Sequence, residues 1–83
     1  MIILANTEEG QKAKIYNADG TLCNLPIASY DTVTQTALHY EFDENNMIKM
    51  QDYVADGKMM VRKPVLIVTI LAGSYAEIDG KRV

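Results

Sequence analysis

The sequence predicts an all-β domain: a small antiparallel meander closing toward a barrel or sandwich. Turn chemistry is the first observation. Asp-Gly occurs three times, at Asp19 and Gly20, Asp56 and Gly57, and Asp79 and Gly80. Asp-Gly suits type I′ turns, because both central residues need positive φ and Gly adopts it freely. "DENN" (43–46) is a fourth, slightly longer turn. The second observation is what lies between the turns: short runs rich in Val, Ile, Thr, Tyr and Phe, the residues that suit a pleated, half-buried surface. The units between turns differ from one another, so the chain is no sequence repeat. At 83 residues it reads as one domain, 1–83.

The elements follow in order. "IILA" (2–5) is an opening strand, and "TEEGQ" (7–11) a polar loop. "KAKIYN" (12–17) alternates Lys12, Lys14 and Tyr16 against Ala13, Ile15 and Asn17. "TLCNL" (21–25) returns after the first Asp-Gly and stops at Pro26, which has no ladder donor. "YDTVTQTALHYEFD" (30–43) is the longest strand candidate, bent or bulged near its start. Toward its end the even face turns apolar (Leu38, Tyr40, Phe42) and the odd face polar (His39, Glu41, Asp43).

"MIKMQDYVADG" (47–57) fits two periods. A helix would have an Asn46 cap and a Gly57 stop. A strand is favoured, because turns on both sides make it one arm of a hairpin and so short an isolated helix is marginal. Its partner, "KMMVRKPVLIVTIL" (58–71), is interrupted by Pro64. Residues 65–71 are apolar on both alternations, as in a central strand covered on both faces, by the core and by a curled sheet or second subunit. "SYAEIDGKRV" (74–83) is a last hairpin.

Composition narrows the function. Eight Lys and Arg against eleven Asp and Glu give net charge −3, the wrong sign for a phosphate-binding surface. Tyr16 beside Lys14 is the one good aromatic–basic pairing, so the expected partners exclude nucleic acid. The longest apolar run (64–73) is too short for a membrane helix, which needs about 20 residues, and no leader is visible at the start. No membrane partner is expected. Cys23 is the only cysteine, so no intrachain disulfide can form. It sits between apolar neighbours and reads as a core or near-core residue.

Metal and enzyme chemistry are thinly represented. His39, Glu41 and Asp43 are the metal candidates, a histidine and two carboxylates on one strand face. Alternate strand residues lie about 6.5–7 Å apart, so these would have to lean together. With one His and one Cys in the chain, a zinc site of the usual kind is unsupported. "DENNMIKMQDY" lacks EF-hand spacing. A solvated strand face and an acidic turn explain the same residues. No G-x-S-x-G, G-x-G-x-x-G or G-K-[ST] occurs, so neither catalysis nor a cofactor is expected.

Self-association is the reading the physics favours. A chain this short buries only about 60% of its unfolded surface, and its apolar strand asks for cover on two sides. Met47, Met50, Met59 and Met60 cluster around one hairpin, and Met surfaces adapt to partners. With Val65 and Ile67 they are the interface candidates. The same methionines could instead fill the domain's own core.

"AKIYNADGTLCNLPIASYDTVTQTALHYEFDENNMIKM" resembles small, mostly uncharacterised phage and prophage proteins. The matching motifs are the "YNADG" turn (16–20), "DTVTQT" (31–36) and the "DENN" hairpin (43–46), where Asn46 stands in place of the usual turn Gly. The resemblance covers about half the chain and rests on turn residues. It implies a viral accessory or virion protein and carries no functional residues. The expectation is a non-enzymatic, self-associating virion or assembly component, in the host cytoplasm or the virion. The alternatives are a small inhibitor or modulator that binds a host protein, and a divalent-metal-binding domain using the His39, Glu41 and Asp43 face.

Overall fold

The computed structural model describes residues 1–4 and 12–83. Their elements are nine strands: β1 (Ile2–Leu4), β2 (Ala13–Tyr16), β3 (Ile27–Asp31), β4 (Thr36–Tyr40), β5 (Met50–Ala55), β6 (Met59–Pro64), β7 (Leu66–Ile70), β8 (Tyr75–Ile78) and β9 (Lys81–Arg82). They form three antiparallel sheets: β1-β3-β4-β7, β2-β8-β9, and the lone pair β5-β6. None closes into a barrel. The polar loop expected at 7–11 lies outside the described residues.

The two larger sheets pack as a small sandwich. Cross-strand neighbours share a face, and the register aligns Ile3 with Tyr30, Tyr30 with Ala37, and Ala37 with Thr69. That row is the inner face of the first sheet: Ile3, Tyr30 and Ala37 are buried. Ala76 of β8 is buried with them, and Ala13, Ile15, Ile27, Leu71 and Ile78 pack around the cluster. Tyr30, 1% exposed, reaches across the layers, its hydroxyl 2.5 Å from that of buried Ser74.

The turns follow their chemistry, with one distinction the sequence did not make. Asp56 and Gly57, and Asp79 and Gly80, all have positive φ, as type I′ turns require. The first Asp-Gly differs. Only Gly20 is left-handed, the Gly20 amide donates to the Asn17 carbonyl, and the Asn17 amide to that of Thr21. This is a type I turn closed by a left-handed residue. The Asp43 turn repeats the pattern: the Asn46 amide donates to the Asp43 carbonyl, the Asp43 amide to that of Met47, and Asn46 has φ 61°. Asn46 does there what Gly20 does at the first turn, since Asn tolerates the left-handed region.

Four expectations are corrected. The long strand 30–43 is two strands, β3 and β4, joined by a turn at 32–35. The Asp31 carboxylate accepts from the Val33 amide at 2.9 Å, and such a local Asx bond competes with the ladder. Gln35 completes the turn with φ 55°. Second, the face of β4 turned to the core carries Ala37, fully buried, and not Leu38, because the register sets Ala37 beside inward-facing Tyr30 and Leu38 beside Ser29 on the outer face. Third, "TLCNL" is reduced to an isolated bridge between Tyr16 and Leu22, made by two bonds, from the Cys23 amide to the Ile15 carbonyl and from the Asn17 amide to the Thr21 carbonyl. Fourth, the apolar strand at 65–71 is not central. Among the described residues β7 pairs with β4 alone and ends its sheet. The ambiguous segment 47–55 contains a strand, β5.

Candidate functional site

The outer face of the four-stranded sheet is built by the other half of each strand's alternation. The register sets Leu4, Ser29, Leu38 and Val68 in one row, and Ile2, Asp31, Thr36 and Ile70 in the next. Tyr40 and Leu66 follow on the far side. Apart from Asp31 these residues are uncharged, and most are apolar. Among the described residues no sheet covers them. Val68 is 64% and Ile70 74% exposed, and Ile2, Leu4 and Leu66 are exposed as well. The exposed apolar side chains thus stand at the two ends of these rows, Ile2 and Leu4 on β1 and Leu66, Val68 and Ile70 on β7.

Among the described residues the edge beside that face is also open. The Leu71 amide donates to the Gln35 carbonyl at 2.8 Å, and the Glu41 amide to the Val65 carbonyl at 3.0 Å. With the register of β4 and β7, these bonds fix which residues turn their backbone inward: 65, 67, 69 and 71. In an antiparallel ladder the alternate residues direct theirs outward. Leu66, Val68 and Ile70 therefore present amides and carbonyls to the free edge. Natural edge strands are blunted by Lys, Pro, bulges or cover, and "LIVTI" has no charge and no Pro.

Beside β7 the chain branches. The amides of Glu41, Lys49 and Val65 donate in a ring, Glu41 to Val65, Val65 to Lys49 and Lys49 to Glu41, at 2.8–3.0 Å. Three two-stranded arms leave this triangle: β4 with β7, the Phe42–Ile48 bridge with its turn, and the β5-β6 hairpin. The Lys49 ammonium lies 4.0 Å from the Glu41 carboxylate at the same point. The β5-β6 arm pairs with no other strand among the described residues. It helps draw the molecule out to 46 × 27 × 21 Å, with a radius of gyration of 14.7 Å, where a compact chain of this length has about 12 Å.

The predicted site residues separate. His39 Nε2 is 2.8 Å from the Thr69 hydroxyl. Glu41 sits at the junction. The Asp43 carboxylate accepts from the Asn45 and Met47 amides at 2.9 and 3.0 Å. The strand face expected to carry all three ends at Tyr40, and among the described residues no three His, Cys, Asp or Glu groups converge on a metal position. The methionines are exposed but share no single face. The Val54–Met60 pairing puts Met50 and Met60 on one side of the arm and Met59 on the other, with Met47 on the neighbouring turn. Ile67 is 38% exposed and Val65 is half-buried at the junction. Sequence reasoning passed over Val68 and Ile70, whose signal was the double-faced apolarity of their strand.

The outer face of the three-stranded sheet carries a short stack. The Tyr16 and Tyr75 rings lie 5.2 Å apart and nearly parallel, and the Arg82 guanidinium sits 4.3 Å from the Tyr75 ring centre. Tyr75 thus has neighbours on its ring, and the stack reads as cross-strand stabilisation. Desolvation, then the Glu77 carboxylate, pushes the Tyr16 hydroxyl above its ordinary pKa. A recess of about 310 Å³ opens between the layers, bordered by Ile3, Lys14, Ile15, Leu25, Tyr30 and the half-buried Cys23. No helix among the described residues is long and apolar enough to cross a membrane. No family model, curated protein or solved structure matches the chain.

Proposed function

We propose that this chain is a non-enzymatic, phage-type protein that works by protein–protein contact, self-associating as a virion or assembly component. The observation that carries the reading is the apolar outer face of the four-stranded sheet, from exposed Ile2 across Leu38 to exposed Val68 and Ile70, which no other sheet covers among the described residues. The total surface of the chain supports the reading as well. The chain exposes 6049 Å², whereas a compact protein of 9.3 kDa exposes about 5,000 Å². The excess is comparable to the roughly 800 Å² that each partner loses in a standard interface. The phage assignment, and with it the host cytoplasm or the virion as location, rests on the resemblance of the turn motifs.

The test is native mass by light scattering after size exclusion, across a hundredfold range of concentration. The expected result is a closed oligomer of fixed copy number, or a dimer that forms as concentration rises. A monomer at every concentration would overturn self-association and leave the same face to a foreign protein, the modulator reading.

A further inference from the structure

Resting on the assembly reading above, we propose that two copies of this chain join through β7, strand to strand and antiparallel, about a two-fold axis at Val68. The backbone register of β7 carries this. The residues with outward-facing backbone groups are Leu66, Val68 and Ile70, fixed by the inward bonds of Val65 and Leu71. A two-fold axis at Val68 sets Leu66 opposite the partner's Ile70 and Val68 opposite the partner's Val68. Every outward amide and carbonyl of the strand then finds a mate, two bonds per opposed pair.

The occupant is a second copy because the strand complements itself. "LIVTI" carries no charge, so reversal brings no like charges together, and its outward residues are apolar in either direction. The opposed pairs are Leu with Ile and Val with Val, the aliphatic cross-strand pairs that stabilise a sheet face. Pairing joins two four-stranded sheets into one continuous sheet. It covers an edge that lacks the usual protection.

Amide hydrogen exchange on the wild-type chain, read by NMR at low and high concentration, tests the geometry directly. The expected result is an alternation. The Ile67 and Thr69 amides, bonded to β4, are protected at both concentrations. Those of Leu66, Val68 and Ile70 gain at least tenfold protection only when the chain associates. Val68→Lys gives an independent reading: Val68 is 64% exposed, so the monomer tolerates Lys, while two ammonium groups meet at the axis. Association should weaken at least tenfold with an unchanged circular dichroism spectrum. A wild-type chain that associates without protecting these three amides overturns the edge pairing and leaves the assembly reading standing. A wild-type chain that stays monomeric removes both.

Discussion

The hydroxyls of Tyr30 and Ser74 meet at 2.5 Å in the buried centre of the molecule, 44 residues apart in sequence. One belongs to β3 of the larger sheet and the other to the turn leading into β8 of the smaller. Each gives the other a hydrogen-bond partner where water is excluded, since Tyr30 is 1% and Ser74 2% exposed. Tyr30→Phe strands the Ser74 hydroxyl and should cost about 1–3 kcal/mol. Adding Ser74→Ala should cost less than the two single losses together, because the second change removes the orphan. Urea unfolding of the four species measures the cycle, and strict additivity would show that the pair is not coupled.

Gly73 is held by its backbone and its neighbour at once. Its φ is 81°, and a Cβ there would lie 2.8 Å from the Ala18 Cβ. Gly73→Ala should therefore lower stability by about 1–3 kcal/mol. Ala18→Gly in the same chain should recover the steric part and leave the backbone part. Thermal melts of the single and double variants separate the two. Full recovery in the double variant would mean the left-handed backbone contributes nothing.

The side chain of Gln35 ties two turns together. Its Nε2 donates to the Ser74 carbonyl at 2.9 Å, and its Oε1 accepts from the Gly73 amide at 3.1 Å. Gln35→Ala loses both bonds and keeps the left-handed φ of 55°, at an expected cost of about 1–3 kcal/mol. Gln35→Gly also loses the bonds but is at ease in that conformation, so it should be the milder change. The order of the two melting temperatures is the test, and Ala above Gly would contradict it.

Acid should weaken the fold through two turn aspartates. The Thr21 hydroxyl and amide hold Asp19 below its ordinary pKa, and the Val33 amide does the same for Asp31. A depressed folded pKa contributes stability that is complete above the unfolded value, about 3.9, and lost as pH falls through the folded one. The melting temperature should be flat above about pH 5 and fall below it. The Asp19→Asn, Asp31→Asn double variant should show a shallower acid limb. An identical limb would assign the acid loss to other carboxylates.

The β5-β6 arm should be dispensable for folding. The Val65 amide donates to the Lys49 carbonyl at 2.8 Å, so the two ends of the arm already stand as the first and last residues of a β-turn would. Replacing residues 50–64 with Asn-Gly closes that turn. Because none of the buried core residues Ile3, Tyr30, Ala37 and Ala76 belongs to the arm, the shortened chain should keep a cooperative melt. Loss of that melt would show that the arm holds the sandwich together.

Much of the strand and turn pattern was legible in the sequence because it is written in local chemistry. Asp-Gly at 56 and 79 specifies its own turn geometry, and Pro64 marks the break between β6 and β7. What was not legible depends on partners distant in the chain. Composition points to Leu38 as the inward residue of β4, yet Ala37 takes that place because Tyr30 lies opposite it. The Thr-rich run after Asp31 reads as strand by propensity, and the Asp31 carboxylate, which accepts from the Val33 and Thr34 amides, converts it to a turn. The apolarity of 66–70 was plain, but whether a strand is central or at an edge is a property of the whole sheet. His39, Glu41 and Asp43 alternate as a shared face only while the strand runs straight, and it ends at Tyr40.

The ring of three backbone bonds at Glu41, Lys49 and Val65 gives a linear polymer a branch point. Each limb leaving it is closed by its own pairing, so residues can be added or removed two at a time in one limb with the alternation of the other two intact. A sequence built this way has separable dials: the length and surface of the projecting hairpin can drift with whatever it touches, while the sandwich beneath keeps its pairing.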